Sequence, residues 1–231
     1  MNTVAAQKRS GAWAGIVFAV LYVVGVIMMG DQPDTTDKMK DSPKLAEAAW
    51  LKFYADGDNR AFILIGAFVL AAAVIALLVF ASYLQDRLAD DGASSTTTRL
   101  VFGGAVLFAA VTLAGTAALA WIPGAKEFGD SPLPVGSINY LSSQLGFALM
   151  LLGGGAAAAL FLVSAGWAAT RVGTLPKWLA WAGVVIGVLL FFFGVFFLPM
   201  ALLVLWVLVT SIVLLRHRET ANGSETTVPA T

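Results

Sequence analysis

Hydrophobic residues form long uninterrupted runs along the chain, and charged residues lie almost only between these runs. The runs are longer than the ~20 residues that a helix needs to cross the ~30 Å hydrocarbon core of a bilayer. None alternates apolar and polar residues as a half-buried strand does, and an open sheet edge cannot face lipid. The pattern therefore predicts an all-α, polytopic transmembrane bundle.

The last run has 38 residues without a charge, between Lys177 and Arg216. As one helix it would extend about 57 Å, whereas a bilayer with its headgroups is about 40–45 Å thick. Pro199 suits the first turn of a second helix, and Gly194 helps to end the first. One long helix bent at Pro199 is the alternative. The favoured prediction is a domain of residues 1–215 with six helices, at about residues 10–30, 60–85, 100–122, 140–170, 175–197 and 199–215.

The distribution of basic residues predicts the orientation, because cytoplasmic segments carry an excess of Lys and Arg. Six helices place eight basic residues on the side of the termini and six on the other side, and five of those six share one loop with seven acidic residues. The short loops, which weigh most in this rule, favour both termini in the cytoplasm. Residues 216–231 are too polar to pack, so we expect a disordered cytoplasmic tail.

A short amphipathic segment lies in the first outer loop, within "DSPKLAEAAWLKFYADGDNR". Ser42 and Pro43 are typical of a helix start. One helical face collects the apolar residues Ala46, Ala49, Trp50, Phe53 and Tyr54. The pattern predicts an interfacial helix over Lys44–Tyr54 that lies on the outer membrane surface. It is either a lid over an outer cavity or a simple connector.

Composition adds to this picture by excluding classes of function. Hydrophobic residues make up 59% of the chain and charged residues 12%, against about 45–50% and about 25% in soluble domains. The net charge of zero gives no basic field for nucleic acid. The lipid bilayer is the expected partner, and another membrane protein or a second copy of the chain are further alternatives.

The predicted helix cores contain no Asp, Glu, Lys, Arg or His. A proton relay needs a titratable group inside the membrane, a membrane cytochrome needs axial ligands such as histidine, and a serine hydrolase needs a histidine near its nucleophile. The chain has no cysteine, and its one histidine, His217, lies in the tail. We therefore expect no enzyme activity, no catalytic residue, no metal and no cofactor.

The polar residues inside the predicted membrane region concentrate at the start of the fourth helix, in "SINYLSSQLG". Asn139, Ser142 and Ser143 fall on or beside one helical face, and Gln144 is offset from it by about 100°. These four residues are the candidate lining of an outward cavity. The alternative is that they form hydrogen bonds to neighbouring helices.

Small residues recur at the spacing that lets transmembrane helices approach closely. The pairs Gly11 with Gly15 and Gly183 with Gly187, and the neighbours Gly153 and Gly154, are the predicted packing positions. The same motifs would also serve homodimerisation.

Three stretches together resemble a group of uncharacterised small polytopic membrane proteins of actinobacteria. They are "FYADGDNRAFILIGAFVLAAAVIALLVFASYL", "GTLPKWLAWAGVVIG" and "LPMALLVLWVLVTSIVLL". The resemblance implies a helical bundle in the plasma membrane and transfers no catalytic residue. The resulting hypothesis is a non-enzymatic accessory or scaffold protein of the plasma membrane. The alternative is a facilitator or carrier of a neutral or apolar small molecule.

Overall fold

The computed structural model describes residues 2–30, 32–33, 42–129, 131–194 and 197–225. The described residues form seven helices and no strand, so the all-α prediction is confirmed. The helices are α1 (Asn2–Gly30), α2 (Pro43–Ala55), α3 (Gly57–Asp90), α4 (Ser95–Gly129), α5 (Gly136–Val172), α6 (Lys177–Phe193) and α7 (Phe197–Glu225).

Six of the helices form a closed ring, and α2 lies across one end of it. Each long helix packs on its neighbours, in the order α1, α3, α4, α5, α6, α7 and back to α1. Gly15 of α1 closes the ring, because it lies against Phe80 of α3 and Ser211 of α7. We call the end that carries α2 the α2 end, and the other the opposite end.

Four helices are long and apolar enough to cross a membrane, which gives the chain the character of a membrane-spanning bundle. They cover Gly11–Gly30, Gly57–Asp90, Ser95–Gly129 and Gly136–Val172. The apolar helices Lys177–Phe193 and Met200–Arg216 are shorter. At 1.5 Å per residue each extends about 26 Å, slightly less than the ~30 Å core, so length and composition alone assign four spans rather than the predicted six.

Helices α6 and α7 are an antiparallel pair, not one bent helix. The indole Nε1 of Trp206 donates a hydrogen bond to the carbonyl oxygen of Leu179 at 2.9 Å. These residues lie far on either side of Gly194, so the chain must reverse between them. Gly194 packs against Gly155 of α5. The reversal therefore lies beside the middle of α5, and the first half of α5 extends beyond it.

Helices α1, α3, α4, α5 and α7 are longer than their predicted bounds, and α4 and α7 extend furthest past their predicted ends at residues 122 and 215. Helix α4 continues through Pro123 to Gly129, and its last turn is fixed by an ion pair between Glu127 and Arg60. Helix α7 continues to Glu225, because extending an existing helix is far easier than starting one. The first ten residues of the predicted tail are thus helical, and residues 226–231 lie outside the described part.

The glycines at the predicted packing positions lie in contacts between helices of this one chain. Gly11 faces Tyr83, Gly153 faces Val111, and Gly154 lies near Met200. Gly183 lies against the Trp206 ring and Gly187 against the α5 segment that contains Val163. These glycines therefore take part in helix contacts within the ring of this one chain.

Candidate functional site

The structure brings together three of the four polar residues that were predicted to line a cavity. Asn139, Ser142 and Ser143 are buried on one face of the first half of α5. Their spacing of three and four residues places them one above the other on a helix. Gln144 points elsewhere and is exposed. The candidate set is therefore a buried polar cluster of three residues.

Ser142 connects α5 to α4. Its hydroxyl donates to the carbonyl oxygen of Ala118 at 2.5 Å and accepts a hydrogen bond from the indole nitrogen of Trp121. Both partners lie on the facing side of α4. The serine thus satisfies two polar groups at a helix contact, as buried polar side chains generally do.

Ser143 reaches the end of α1. Its hydroxyl donates to Oε1 of Gln32 at 2.5 Å. Gln32 is two residues beyond the last residue of α1, and its backbone N–H donates to the carbonyl oxygen of Gly30. The Nε2 group of Gln32 is buried and has no hydrogen-bond partner among the described residues. Gln32 was not among the predicted site residues; its only signal in the sequence is a polar side chain two residues after a long apolar helix.

Asn139 is fully buried near the start of α5. Its side-chain amide donates to the carbonyl oxygen of Pro134 at 3.4 Å, and its Oδ1 is buried without a partner in the described part of the chain. Beside it the backbone of Glu47, on α2, approaches Gly136 so closely that a Cβ atom would not fit. Helix α2 therefore covers the cluster directly.

The aromatic face of α2 packs on protein. Ala46, Trp50 and Tyr54 are buried, and the ring of Trp50 lies 6.4 Å from that of Tyr140 on α5, nearly edge to face. Burial raises the pKa of the Tyr54 hydroxyl above its usual range, so this side chain remains uncharged. The helix was predicted to rest on the membrane surface through this face, but the face instead closes the α2 end of the bundle.

Arg60 fastens the end of α2 to the rest of the bundle. Its Nη1 donates to the carbonyl oxygens of Tyr54 at 2.7 Å and Ala55 at 2.8 Å, which are among the last carbonyls of α2. Its Nε pairs with Glu127 of α4 at 2.5 Å. A basic side chain is well placed there, because the last carbonyls of a helix lack partners within the helix. The sequence does not indicate this role, since Glu127 is 67 residues away.

An apolar crevice of about 200 Å³ opens below the polar cluster. Its mouth lies between α1 and α7, where Val23, Ile27 and Ala201 are exposed. Its walls include Tyr22, Met29, Phe147, Met150, Met200 and Val204. The predicted cavity residues Asn139, Ser142, Ser143 and Gln144 do not line it. This crevice is therefore apolar and faces sideways, not outward. A larger cavity of about 600 Å³ lies at the α2 end, where Asp58 and Asn59 add polar groups to its lining.

A local irregularity of α5 shapes the crevice. Residues Leu149–Gly153 are wound as a π-helix, and two of them, Met150 and Leu151, line the crevice. A π-helical turn inserts extra backbone and changes the direction of the side chains on either side of it. The run of glycines that follows in "LMLLGGG" is the only hint of it in the sequence.

The described residues contain no group of three or more His, Asp or Glu side chains that could hold a metal ion. Comparison of the chain with protein-family models, with curated proteins and with solved structures gives no match. The functional conclusion therefore rests on the geometry of the bundle alone.

Proposed function

We propose that the chain is a six-span protein of the plasma membrane that acts as a non-enzymatic accessory or scaffold component of a larger membrane assembly. The four long helices supply four spans. The antiparallel pair α6 and α7 supplies two more, since its ~26 Å length is within a few ångströms of the hydrocarbon thickness and small mismatches are absorbed by the bilayer.

The observation that carries this proposal is the α2 end, where α2 is fixed on the bundle. Ser142 and Ser143 of α5 are held in contacts with α4 and with Gln32, beyond the end of α1, and Arg60 fastens α2 to the bundle. Because α2 is held in place, the α2 end presents a rigid surface to a partner. Its outward side exposes Lys44, Leu45, Leu51 and Lys52, a mixed apolar and basic strip that suits a protein partner with acidic residues at its rim.

Purification from native membranes with a mild detergent tests the accessory role. We expect one protein to co-purify at a fixed ratio and to be lost when Leu45 is replaced by glutamate, while the fold is unchanged. Leu45 is exposed, so the substitution does not disturb the core. Replacement of Phe128 by glutamate, at a position that is also exposed, is the control and should retain the partner. Recovery of the chain alone, in native membranes that express it fully, would contradict the proposal.

The second candidate is a facilitator of a neutral or apolar small molecule, and the crevice favours it. Its test is passive entry of such a solute into liposomes that contain the purified protein. Flux above that of protein-free liposomes, removed by the bulky substitution Met150→Trp, would make transport the function. Accumulation driven by a pH gradient is not expected, because the predicted helix cores hold no titratable carboxylate, lysine or histidine.

The proposal also predicts the membrane topology of the chain. Six spans with cytoplasmic termini place Gly129, at the α2 end, outside the cell and Thr231 inside. Reporter fusions that are active only in one compartment should therefore give opposite signals at these two positions. A fusion at Thr231 that reads outside would show that α6 and α7 do not cross the membrane as two separate spans.

A further inference from the structure

We propose that the apolar crevice holds one acyl chain of a membrane lipid, and that the side-chain amide of Gln32 binds the ester carbonyl of that chain. This site does not depend on the accessory role proposed above. It concerns a ligand that enters from the bilayer and stays with the protein.

The depth of the crevice matches that of lipid tails. The span Gly11–Gly30 has 20 residues and extends about 30 Å, which is the thickness of the hydrocarbon core. Gly30 therefore marks the boundary of the core. The α1 residues that line the crevice run from Tyr22 to Met29, within the second half of this span. Because Ile27 at its mouth is 68% exposed, the crevice opens sideways into hydrocarbon.

The dimensions suit a single chain. The eight residues of α1 from Tyr22 to Met29 rise about 10 Å, so a volume of about 200 Å³ corresponds to an average cross-section of about 20 Å². Carbon atoms in contact lie about 4–4.5 Å apart, so one hydrocarbon chain takes up a cross-section of about 20 Å². The cross-section of the crevice therefore matches that of a single chain. An apolar cavity of about 150 Å³ in a soluble protein stays dry and binds benzene. Because this crevice opens to the bilayer, a lipid acyl chain fills it.

The lining is suited to a flexible apolar ligand. Three methionines, Met29, Met150 and Met200, meet at the crevice. Methionine side chains are unbranched and polarizable, and they adapt to irregular apolar shapes. Met150 lies in the π-helical turn of α5, and such turns are frequent at functional sites.

A polar side chain, Gln32, lies beyond the Met29 end of the crevice and outside its lining, at the level where a lipid ester would be. Gln32 is two residues beyond the end of α1, and its partner Ser143 lies one helical turn from Phe147 of the crevice wall. The Nε2 group of Gln32 has no acceptor in the described part of the chain. An unsatisfied buried donor is unfavourable, and the ester carbonyls of lipids lie just outside the hydrocarbon core. A carbonyl oxygen there would accept from this amide.

Native mass spectrometry of the full chain, reconstituted in dioleoylphosphatidylglycerol vesicles and extracted in detergent, tests the site. We expect one retained lipid per protein, and a loss of about tenfold for Ala201→Phe, which fills the mouth. Ala201 is exposed, so the variant should fold normally. Val79→Phe, at an exposed position of α3 away from the crevice, is the matched control and should retain the lipid. No retained lipid, or equal retention by both variants, would overturn the proposal.

The ether analogue of the same lipid tests the polar contact, because it lacks the ester carbonyl. One hydrogen bond corresponds to about a fivefold difference in retention. We expect the wild-type chain to retain the ester lipid about fivefold better than the ether lipid, and Gln32→Leu to remove this difference. An equal preference in the two proteins would show that Gln32 does not bind the ester.

Discussion

Replacing Gly104 with alanine is expected to destabilise the folded bundle by about 3 kcal/mol, the upper part of the range for overpacking in a close contact. Gly104 lies on α4 where this helix crosses α5. A Cβ atom there would lie 2.6 Å from the backbone nitrogen of Phe161 and 2.8 Å from its Cα. Backbone atoms cannot rotate away as a side chain can, so the two helices must separate to accommodate one methyl group.

The neighbouring glycine provides the control. Gly103 is exposed on the same helix, and a Cβ atom there would meet nothing within 4 Å. Gly103→Ala should be neutral or stabilising by up to about 1 kcal/mol, because glycine is the weaker helix former. Unfolding of the two purified variants in mixed micelles, followed by circular dichroism, gives the comparison. Equal midpoints for the two variants would mean that α4 and α5 do not touch at Gly104.

The helices were predictable because the hydrophobic runs that produce them are local features of the sequence. A run that is longer than the bilayer core must be helical to satisfy its backbone in lipid, and this holds wherever the run packs. The separation of α6 from α7 followed in the same way, from 38 uncharged residues and Pro199. Helix α2 was recognisable by its apolar face. The surface on which that face packs was not, since an apolar face is equally suited to lipid and to protein.

The site was less predictable because its contacts join distant parts of the chain. Ser143 and Gln32 are 111 residues apart, and Arg60 and Glu127 are 67 apart. Helical periodicity correctly grouped Asn139, Ser142 and Ser143 on one face. It could not indicate whether that face meets water, lipid or another helix. That depends on the fold of the whole ring.

The apolar crevice could not be predicted from the sequence either. Its lining residues are apolar and are indistinguishable in the sequence from residues that face lipid. What opens it is the position of the α6–α7 reversal beside Gly155, well short of the first turn of α5, together with the π-helical turn. Both are consequences of helix lengths and packing, not of any local motif.

Replacing Trp206 with alanine is expected to destabilise the bundle by about 4 kcal/mol, as for other buried aromatic residues. The side chain is only 2% exposed, although it lies in a helix of an apolar hairpin. Its ring packs on Gly183 and stands nearly perpendicular to Phe161, with centroids 6.1 Å apart. Its indole nitrogen bonds to Leu179 at 2.9 Å. The substitution would thus remove contacts to α5 and α6 together.

Trp181→Ala is the matched control, because Trp181 is 52% exposed on α6 and its loss should change the stability by less than about 0.5 kcal/mol. Trp206→Phe retains much of the ring but removes the donor to Leu179, so its effect should lie between the two. The measurement is again unfolding in mixed micelles. Since helices in lipid or detergent associate through packing, without a hydrophobic driving force between them, a cavity of this size should release the α6–α7 hairpin first. If the two alanine variants unfold at the same point, Trp206 does not hold the hairpin against α5.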